Sequence, residues 1–186
     1  MKHTQSQHNY FLFTSAPGAG KTTTLSILKS HGYYVVEENA RRIIKEQYET
    51  GGNATHQGDK RSFCQLMLEA NISDFQRYES SNEIILFDRG LPGLLGYKNL
   101  SIDEDWGELI TEVKTAVKQY RYNKHVFVFP PWESIYTTDD QRTHTFAEAV
   151  KSYHVVTQAH SEAGYSLIEV PKETIIKRAE FISQMM

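Results

Sequence analysis

The sequence predicts an α/β domain in which helices cover both faces of a mostly parallel sheet of five strands. Two observations point to this fold class. Apolar runs of strand length alternate along the chain with stretches that carry helical spacing. Most of these runs are continuously apolar, which is typical of strands covered on both faces in a parallel sheet. We therefore expect three layers, right-handed crossovers, and a ligand at the carboxyl ends of the strands.

The elements follow one another in regular alternation. We predict strands at residues 10–14, 33–36, 83–87, 125–129 and 165–170. We predict helices at residues 22–29, 39–49, about 59–80, about 103–120, 143–163 and from Lys172 onward. Glycines at the ends of the first two helices, at positions 32 and 51, are suitable helix stops.

Composition favours one domain over residues 1–186. A formal net charge of −3 argues against a dominant nucleic-acid surface. No apolar run approaches membrane-spanning length, and residues 1–9 lack the apolar segment of a signal peptide. The single cysteine, Cys64, excludes an internal disulfide and favours a reducing, cytoplasmic location; its helical setting suggests a buried thiol. The eight histidines show no metal-ligand spacing.

A glycine-rich segment, S-A-P-G-A-G-K-T at residues 15–22, lies between the first predicted strand and the first helix. This context is the one in which such a segment forms a phosphate-binding P-loop rather than a turn that binds nothing. Gly18 and Gly20 permit the backbone to wrap a phosphate chain with its N–H groups inward, and the helix adds its positive end. We predict that the nucleotide contacts are Ala16, Pro17, Gly18, Ala19, Gly20, Lys21, Thr22 and Thr23.

Two residues of this loop carry specific chemistry. Lys21 supplies a point charge for the outer phosphates, and Thr22 supplies a hydroxyl for Mg²⁺. Ser15 stands where the usual pattern begins with glycine, and a small residue fits there.

The third strand ends in Asp88-Arg89, the expected partner of a P-loop. The Asp88 carboxylate is predicted to lie near Mg²⁺ and the terminal phosphate, and Arg89 to neutralise phosphoryl oxygens during transfer. Taken alone, such a pair also caps helices or forms surface ion pairs. The residue beside Asp88 is not the water-activating glutamate of mechanical ATPases, which favours phosphoryl transfer to a small acceptor.

Two carboxylates, Glu37 and Glu38, follow the second strand. Either can hold an acceptor hydroxyl or accept its proton, or the pair can simply form an acidic helix N-terminus. We favour a functional role for Glu38 and leave Glu37 open.

The polar loop after the fourth strand is a candidate lid, from which Arg142 would reach the phosphates on closure. The alternative is an ordinary exposed loop in which Arg142 pairs with Asp139 or Asp140. Trp132 either belongs to the core, which we favour, or stacks on the acceptor. Residues 170–172, after the last strand, are expected near the nucleotide base.

Taken together, these segments resemble the NadR-type AAA domain family of P-loop NTPases, predicted ATPases related to ribosylnicotinamide kinase. The matching segments are 15–24, 38–42, 87–97, 131–142 and 164–171. The P-loop is generic, whereas D-R-G-L-P at 88–92 combined with P-W-E-S-I-Y at 131–136 is more specific. The resemblance implies a nucleoside-kinase-like fold, ATP and Mg²⁺, with an acidic residue matched by Glu38, a D/E-R pair matched by Asp88-Arg89 and a lid arginine matched by Arg142.

The sequence therefore favours an ATP-dependent kinase of a small hydroxyl-bearing metabolite such as a nucleoside. Lys21, Asp88, Arg89, Glu38 and Arg142 are its predicted catalytic residues, and Thr22 and Asp88 its Mg²⁺ ligands. Either Glu38 or Asp88 is the base, and the acceptor is not identified. The alternative is a nucleotide-binding switch or slow ATPase that acts through a protein or lipid partner. A nucleic-acid-processing ATPase is the least favoured interpretation, because the chain is acidic and small.

Overall fold

The computed structural model describes residues 4–96, 106–136 and 145–186. Five strands form one sheet in the order β3 (Tyr34–Val36), β4 (Ile85–Asp88), β2 (Tyr10–Ser15), β6 (His125–Phe129) and β7 (Ser166–Glu169), and every neighbouring pair is parallel. The predicted α/β class is confirmed, and the sheet is entirely parallel rather than mostly so. Residues 5–6 and 120–121 add a separate two-stranded ladder that the sequence did not predict, because segments of two residues carry no periodicity.

The elements follow the predicted alternation, with bounds that differ by a few residues. The strands are β1 Gln5–Ser6, β2 Tyr10–Ser15, β3 Tyr34–Val36, β4 Ile85–Asp88, β5 Tyr120–Arg121, β6 His125–Phe129 and β7 Ser166–Glu169. The helices are α1 Lys21–Ser30, α2 Asn39–Thr50, α3 Lys60–Arg77, α4 Leu109–Gln119, α5 Phe146–Glu162 and α6 Ile175–Met185. Short 3-10 turns lie at Leu91–Leu94 and Glu133–Ile135. The predicted helix start near Asp103 and the lid segment with Arg142 lie outside the described residues.

The core consists of two apolar clusters, one on each face of the sheet. Alternate residues of the fully buried strand β2 divide between them: Tyr10 and Leu12 belong to one cluster, Phe11 and Phe13 to the other. This alternation follows from the pleat, which points successive side chains to opposite faces. Helices α2, α3 and α4 supply the first cluster, and α1 and α6 supply the second. The result is the predicted three-layer arrangement.

This topology brings the functional segments to one edge. Because all five strands are parallel, their carboxyl ends meet at the same edge of the sheet. The segments that follow β2, β3, β4, β6 and β7 therefore converge there. No helix in these three stretches of chain is both long and apolar enough to cross a membrane.

Candidate active site

The loop between β2 and α1 has the backbone geometry of a phosphate cradle. Gly18 and Gly20 have φ values of 75° and 81°, in the left-handed region that glycine adopts without strain. Helix α1 begins directly afterwards at Lys21, so its unpaired N–H groups face the loop. A Cβ atom at Gly20 would lie 2.8 Å from Nη1 of Arg178 and would displace this guanidinium from its contact with the loop.

Lys21 and Asp88 form a buried ion pair at the base of this loop. Lys21 Nζ contacts Asp88 Oδ1, and the two side chains are only 5 % and 8 % exposed. Burial, assisted by the nearby charge of Arg89, lowers the pKa of Lys21 to about 7. The Glu38 carboxylate opposes this shift, because a nearby negative charge stabilises the charged ammonium. Lys21, which the sequence assigned to the outer phosphates, thus lies beside two carboxylates, Asp88 in direct contact and Glu38 nearby.

Arg89 is held in an unusual backbone conformation beside this pair. It is the only non-glycine residue of the described chain with a positive φ, at 69°, a conformation that costs of order 1 kcal/mol or more. Its neighbour Gly90 is closely packed, because a Cβ there would lie 2.5 Å from Cδ2 of Leu12, which would have to shift. The backbone N–H of Arg89 donates to the carbonyl of Phe13, which fixes the turn to the central strand. Strain of this kind is found at functional sites.

Glu38 and Arg89 form an ion pair across the carboxyl ends of β3 and β4. Arg89 Nε lies 2.6 Å from Glu38 Oε1, and both side chains are partly buried. Burial alone would raise the pKa of Glu38, but the charges of Arg89 and Lys21 outweigh it and hold the pKa below its usual range. Glu38 is therefore a carboxylate at neutral pH. Glu37 differs, because its exposed carboxylate pairs with Lys29 at 3.1 Å on the surface.

Arg178 on α6 contacts the backbone of the phosphate cradle at Ala19. Its side chain is buried, and Nη1 donates to the carbonyl of Ala19 at 2.9 Å. The guanidinium lies over the ring of Trp132, with 4.5 Å from Cζ to the ring centroid, in a cation–π contact. The expectation that Trp132 belongs to the core is wrong: its ring is half-buried and lines a cavity instead.

Two of the cavities at this edge of the sheet meet each other. The first, which we call the P-loop cavity, has a volume of about 640 Å³ and is lined by the loop together with Trp132, Ile135, Arg178 and residues 173–175. The second, the α3–α5 cavity, has a volume of about 550 Å³ and lies between the two helices of that name. Pro17, Glu38 and Arg89 line both, so the cavities meet at these three residues.

Most of the predicted site residues line the P-loop cavity. All the predicted nucleotide contacts, from Ala16 to Thr23, line the P-loop cavity, together with Glu38 and Arg89. Asp88 contacts Lys21 and lines neither of these two cavities; with Thr22 and Glu38 it lines a third, of about 490 Å³, between α1 and α2. The segment after β7 that lines the P-loop cavity is 173–175 rather than the predicted 170–172. The predicted lid arginine, Arg142, lies outside the described residues.

Sequence reasoning missed Arg178 and the polar lining of the α3–α5 cavity. One signal for Arg178 was present: it shares the buried stripe of α6 with Ala179 and Ile182, where a charged residue needs a partner. Lys60 and Lys151 gave no local signal, because they meet only through the packing of distant helices.

The residues at the cradle fit a magnesium–nucleotide complex. Thr22 offers a hydroxyl and Asp88 a carboxylate, both hard oxygen donors of the kind that Mg²⁺ prefers. Within the described residues no cluster of three or more acidic, histidine or cysteine side chains forms a metal cage. This donor set suits Mg²⁺, which binds through one or two protein oxygens plus phosphates and water.

Comparison with solved structures places the fold among nucleoside and nucleotide kinases. A deoxyadenosine kinase from M. mycoides has a TM-score of 0.68 at 15 % identity, covering 95 % of this chain and 97 % of that one. Thymidylate kinase from Candida albicans has a TM-score of 0.63 at 15 % identity, with coverage of 95 % and 89 %. Thymidylate kinase from Ehrlichia chaffeensis has a TM-score of 0.58 at 15 % identity, with coverage of 95 % and 96 %. These similarities confirm the predicted kinase-like fold.

Comparison of the sequence itself gives a match to a family model. No curated protein matches the chain. The family model for an AAA domain matches residues 10–178, a range that runs from the central strand β2 to Arg178 on α6. That match confirms the resemblance drawn from the sequence, and the chain belongs to this AAA domain family of P-loop NTPases.

Proposed function

We propose that the protein is an ATP-dependent kinase that transfers the γ-phosphoryl group to a small hydroxyl-bearing metabolite of the nucleoside or nucleotide class. The observation that carries this proposal is the meeting of two cavities at Pro17, Glu38 and Arg89. A hydrolase or a switch needs one nucleotide cavity, whereas a kinase needs a second cavity whose occupant reaches the terminal phosphate. The kinase fold of the structural neighbours agrees with this arrangement.

The donor nucleotide is assigned to the P-loop cavity. The loop amides and the N-terminus of α1 bind the phosphate chain, and Lys21 contacts its outer oxygens. Thr22 and Asp88 would hold Mg²⁺, which neutralises charge on the β- and γ-phosphates when bound. The platform formed by Trp132 and Arg178 lies in the same cavity and is assigned to the nucleotide base.

Glu38 is the better candidate for the group that holds the acceptor hydroxyl and accepts its proton. It is ionised, and it lines both cavities. Asp88 lines neither cavity and is bound by Lys21, so it is better placed to orient the metal. Arg89 sits beside Glu38 and supplies positive charge where the phosphoryl group moves. Arg142 stays a prediction from the sequence.

The test is ADP release from Mg-ATP by the purified protein, alone and with a panel of nucleosides and nucleotides that includes ribosylnicotinamide. Lys21→Ala is the inactive control, and Lys29→Ala, on the exposed face of the same helix, is the matched control. We expect at least one compound to stimulate ADP release in the wild type and in Lys29→Ala but not in Lys21→Ala. Slow turnover that no compound stimulates would contradict the kinase and favour the switch.

A further inference from the structure

The α3–α5 cavity carries more positive charge than phosphoryl transfer requires. Lys60, at the start of α3, and Lys151, on α5, line it together with Arg89. The formal net charge of the whole chain is −3, so a net positive cavity is not a general property of the surface. Of these three cations, counted among the lining residues that the structure describes, only Arg89 has a place in the transfer chemistry.

The two carboxylates that line the described part of this cavity, Glu38 and Glu148, already have partners. Glu38 is bound to Arg89 at 2.6 Å. Glu148 is part of the capping box at the N-terminus of α5. Its Oε2 accepts hydrogen bonds from the Thr145 backbone N–H at 2.7 Å and from the Thr145 hydroxyl at 2.8 Å. Within residues 4–96, 106–136 and 145–186, neither Lys60 nor Lys151 forms an ion pair with a carboxylate. Both ammonium groups are therefore available to a ligand.

The lysines lie apart from the place where the cavities meet. Pro17, Glu38 and Arg89 belong to both cavities, whereas Lys60 and Lys151 line only the α3–α5 cavity. A molecule whose hydroxyl reaches Glu38 therefore has its remaining groups near the lysines. Met67, Leu94 and Val156 add an apolar wall, and about 550 Å³ is within the size range of small-molecule sites.

Resting on the kinase proposed above, we propose that the acceptor carries an anionic group, a phosphate or a carboxylate, in addition to the hydroxyl that is phosphorylated. Lys60 and Lys151 bind this anion, and the apolar wall packs against the rest of the molecule. The acceptor oxygen attacks the γ-phosphorus, the bond to the bridging oxygen of ADP breaks, and the hydroxyl proton passes to Glu38. A neutral nucleoside leaves two ammonium groups without a partner, and a cationic acceptor such as ribosylnicotinamide is repelled.

The test compares acceptors that differ only in the anion, in the same ADP-release assay. Adenosine and uridine are paired with their 3′-monophosphates, and glucose is paired with glucose 1-phosphate and with glucuronate. We expect the anionic members to be used in preference, and the phosphate and carboxylate arms identify which anion is recognised. Lys60→Ala and Lys151→Ala should each raise KM for the anionic acceptor about tenfold to a hundredfold, with kcat little changed, and Lys60→Arg should restore part of the loss.

Two controls separate the outcomes. Lys114→Ala, an exposed lysine of α4 that lines neither cavity, should leave KM unchanged. Preference for the neutral members, or lysine variants with unaltered KM, overturns this inference and leaves the kinase standing. Titration calorimetry of the same compounds onto the ADP-bound protein measures binding without turnover. Failure of every anionic member to bind also overturns the inference, whereas anion binding without stimulated ADP release contradicts the kinase alone.

Discussion

Arg178 provides the sharpest test of how the fold builds its phosphate cradle. The change is Arg178→Met, which keeps a long side chain but removes the guanidinium that donates to the Ala19 carbonyl and lies over Trp132. We expect the loop to lose its fixed conformation, because that contact holds the peptide between Ala19 and Gly20. Both the nucleotide affinity and the free energy of unfolding should therefore fall.

The magnitude follows from the two contacts. A hydrogen bond from a charged donor contributes about 1.5–3 kcal/mol, and a partly desolvated cation–π contact such as that of Arg178 with Trp132 about 1–2 kcal/mol. Part of this energy is lost from global stability and part from loop order. If about half of this energy appears in binding, the Kd for ADP rises about eightfold to sixtyfold.

The assay is the stabilisation of the protein by ADP. Thermal unfolding with and without the nucleotide gives both the intrinsic stability and, from the ligand-induced shift, the Kd. Arg178→Lys should recover little, because an ammonium lacks the planar fork that meets a carbonyl and a ring together. Lys177→Ala is the matched control, since Lys177 is exposed and pairs with Glu173 at 3.2 Å. A variant that loses stability but binds ADP with wild-type affinity refutes the reasoning.

The remaining predictions concern four positions. Lys21→Ala should lose several kcal/mol of transition-state stabilisation, measured as kcat/KM; retained turnover would count against its role. Glu38→Gln should lower kcat about 10²- to 10⁴-fold with ATP affinity nearly unchanged, and an equal loss of ADP binding would instead indicate a structural role. Gly90→Ala should cost about 1–3 kcal/mol in urea unfolding, because its Cβ would lie 2.5 Å from Leu12 Cδ2; a neutral effect contradicts the close packing. Burial lowers the pKa of His160 to about 4 from 6.5, so the unfolded chain binds the proton more readily and stability falls as pH drops from about 6.5 to 4. Between pH 7 and pH 5 the wild type should lose about 2 kcal/mol more than His160→Gln, and parallel pH profiles would contradict this.

The parts of the site that the sequence could predict are those set by local pattern. The P-loop is contiguous, and its strand, glycines and helix start are all visible within residues 10–30. Asp88 and Arg89 were placed correctly at the sheet edge because they end an apolar strand. Glu38 was placed near them because carboxyl ends of parallel strands meet.

The parts that could not be predicted depend on contacts between distant elements. Local pattern does not distinguish Glu37 from Glu38; the ion pair with Arg89 does, and it requires β3 to lie beside β4. Trp132 was expected in the core because large aromatic residues usually pack there, but the buried guanidinium of Arg178 offers it a partner at the cavity. That contact joins segments more than forty residues apart, which no periodicity reveals.

The most direct test of the central claim follows the phosphoryl group itself. The protein is incubated with Mg-ATP labelled at the γ-phosphate and with the compound that most stimulates ADP release, and the products are separated. The two-cavity arrangement predicts that the label moves onto the acceptor, in proportion to ADP formed, and that Glu38→Gln slows this transfer. Label recovered only as inorganic phosphate, whichever acceptor is present, would contradict the kinase.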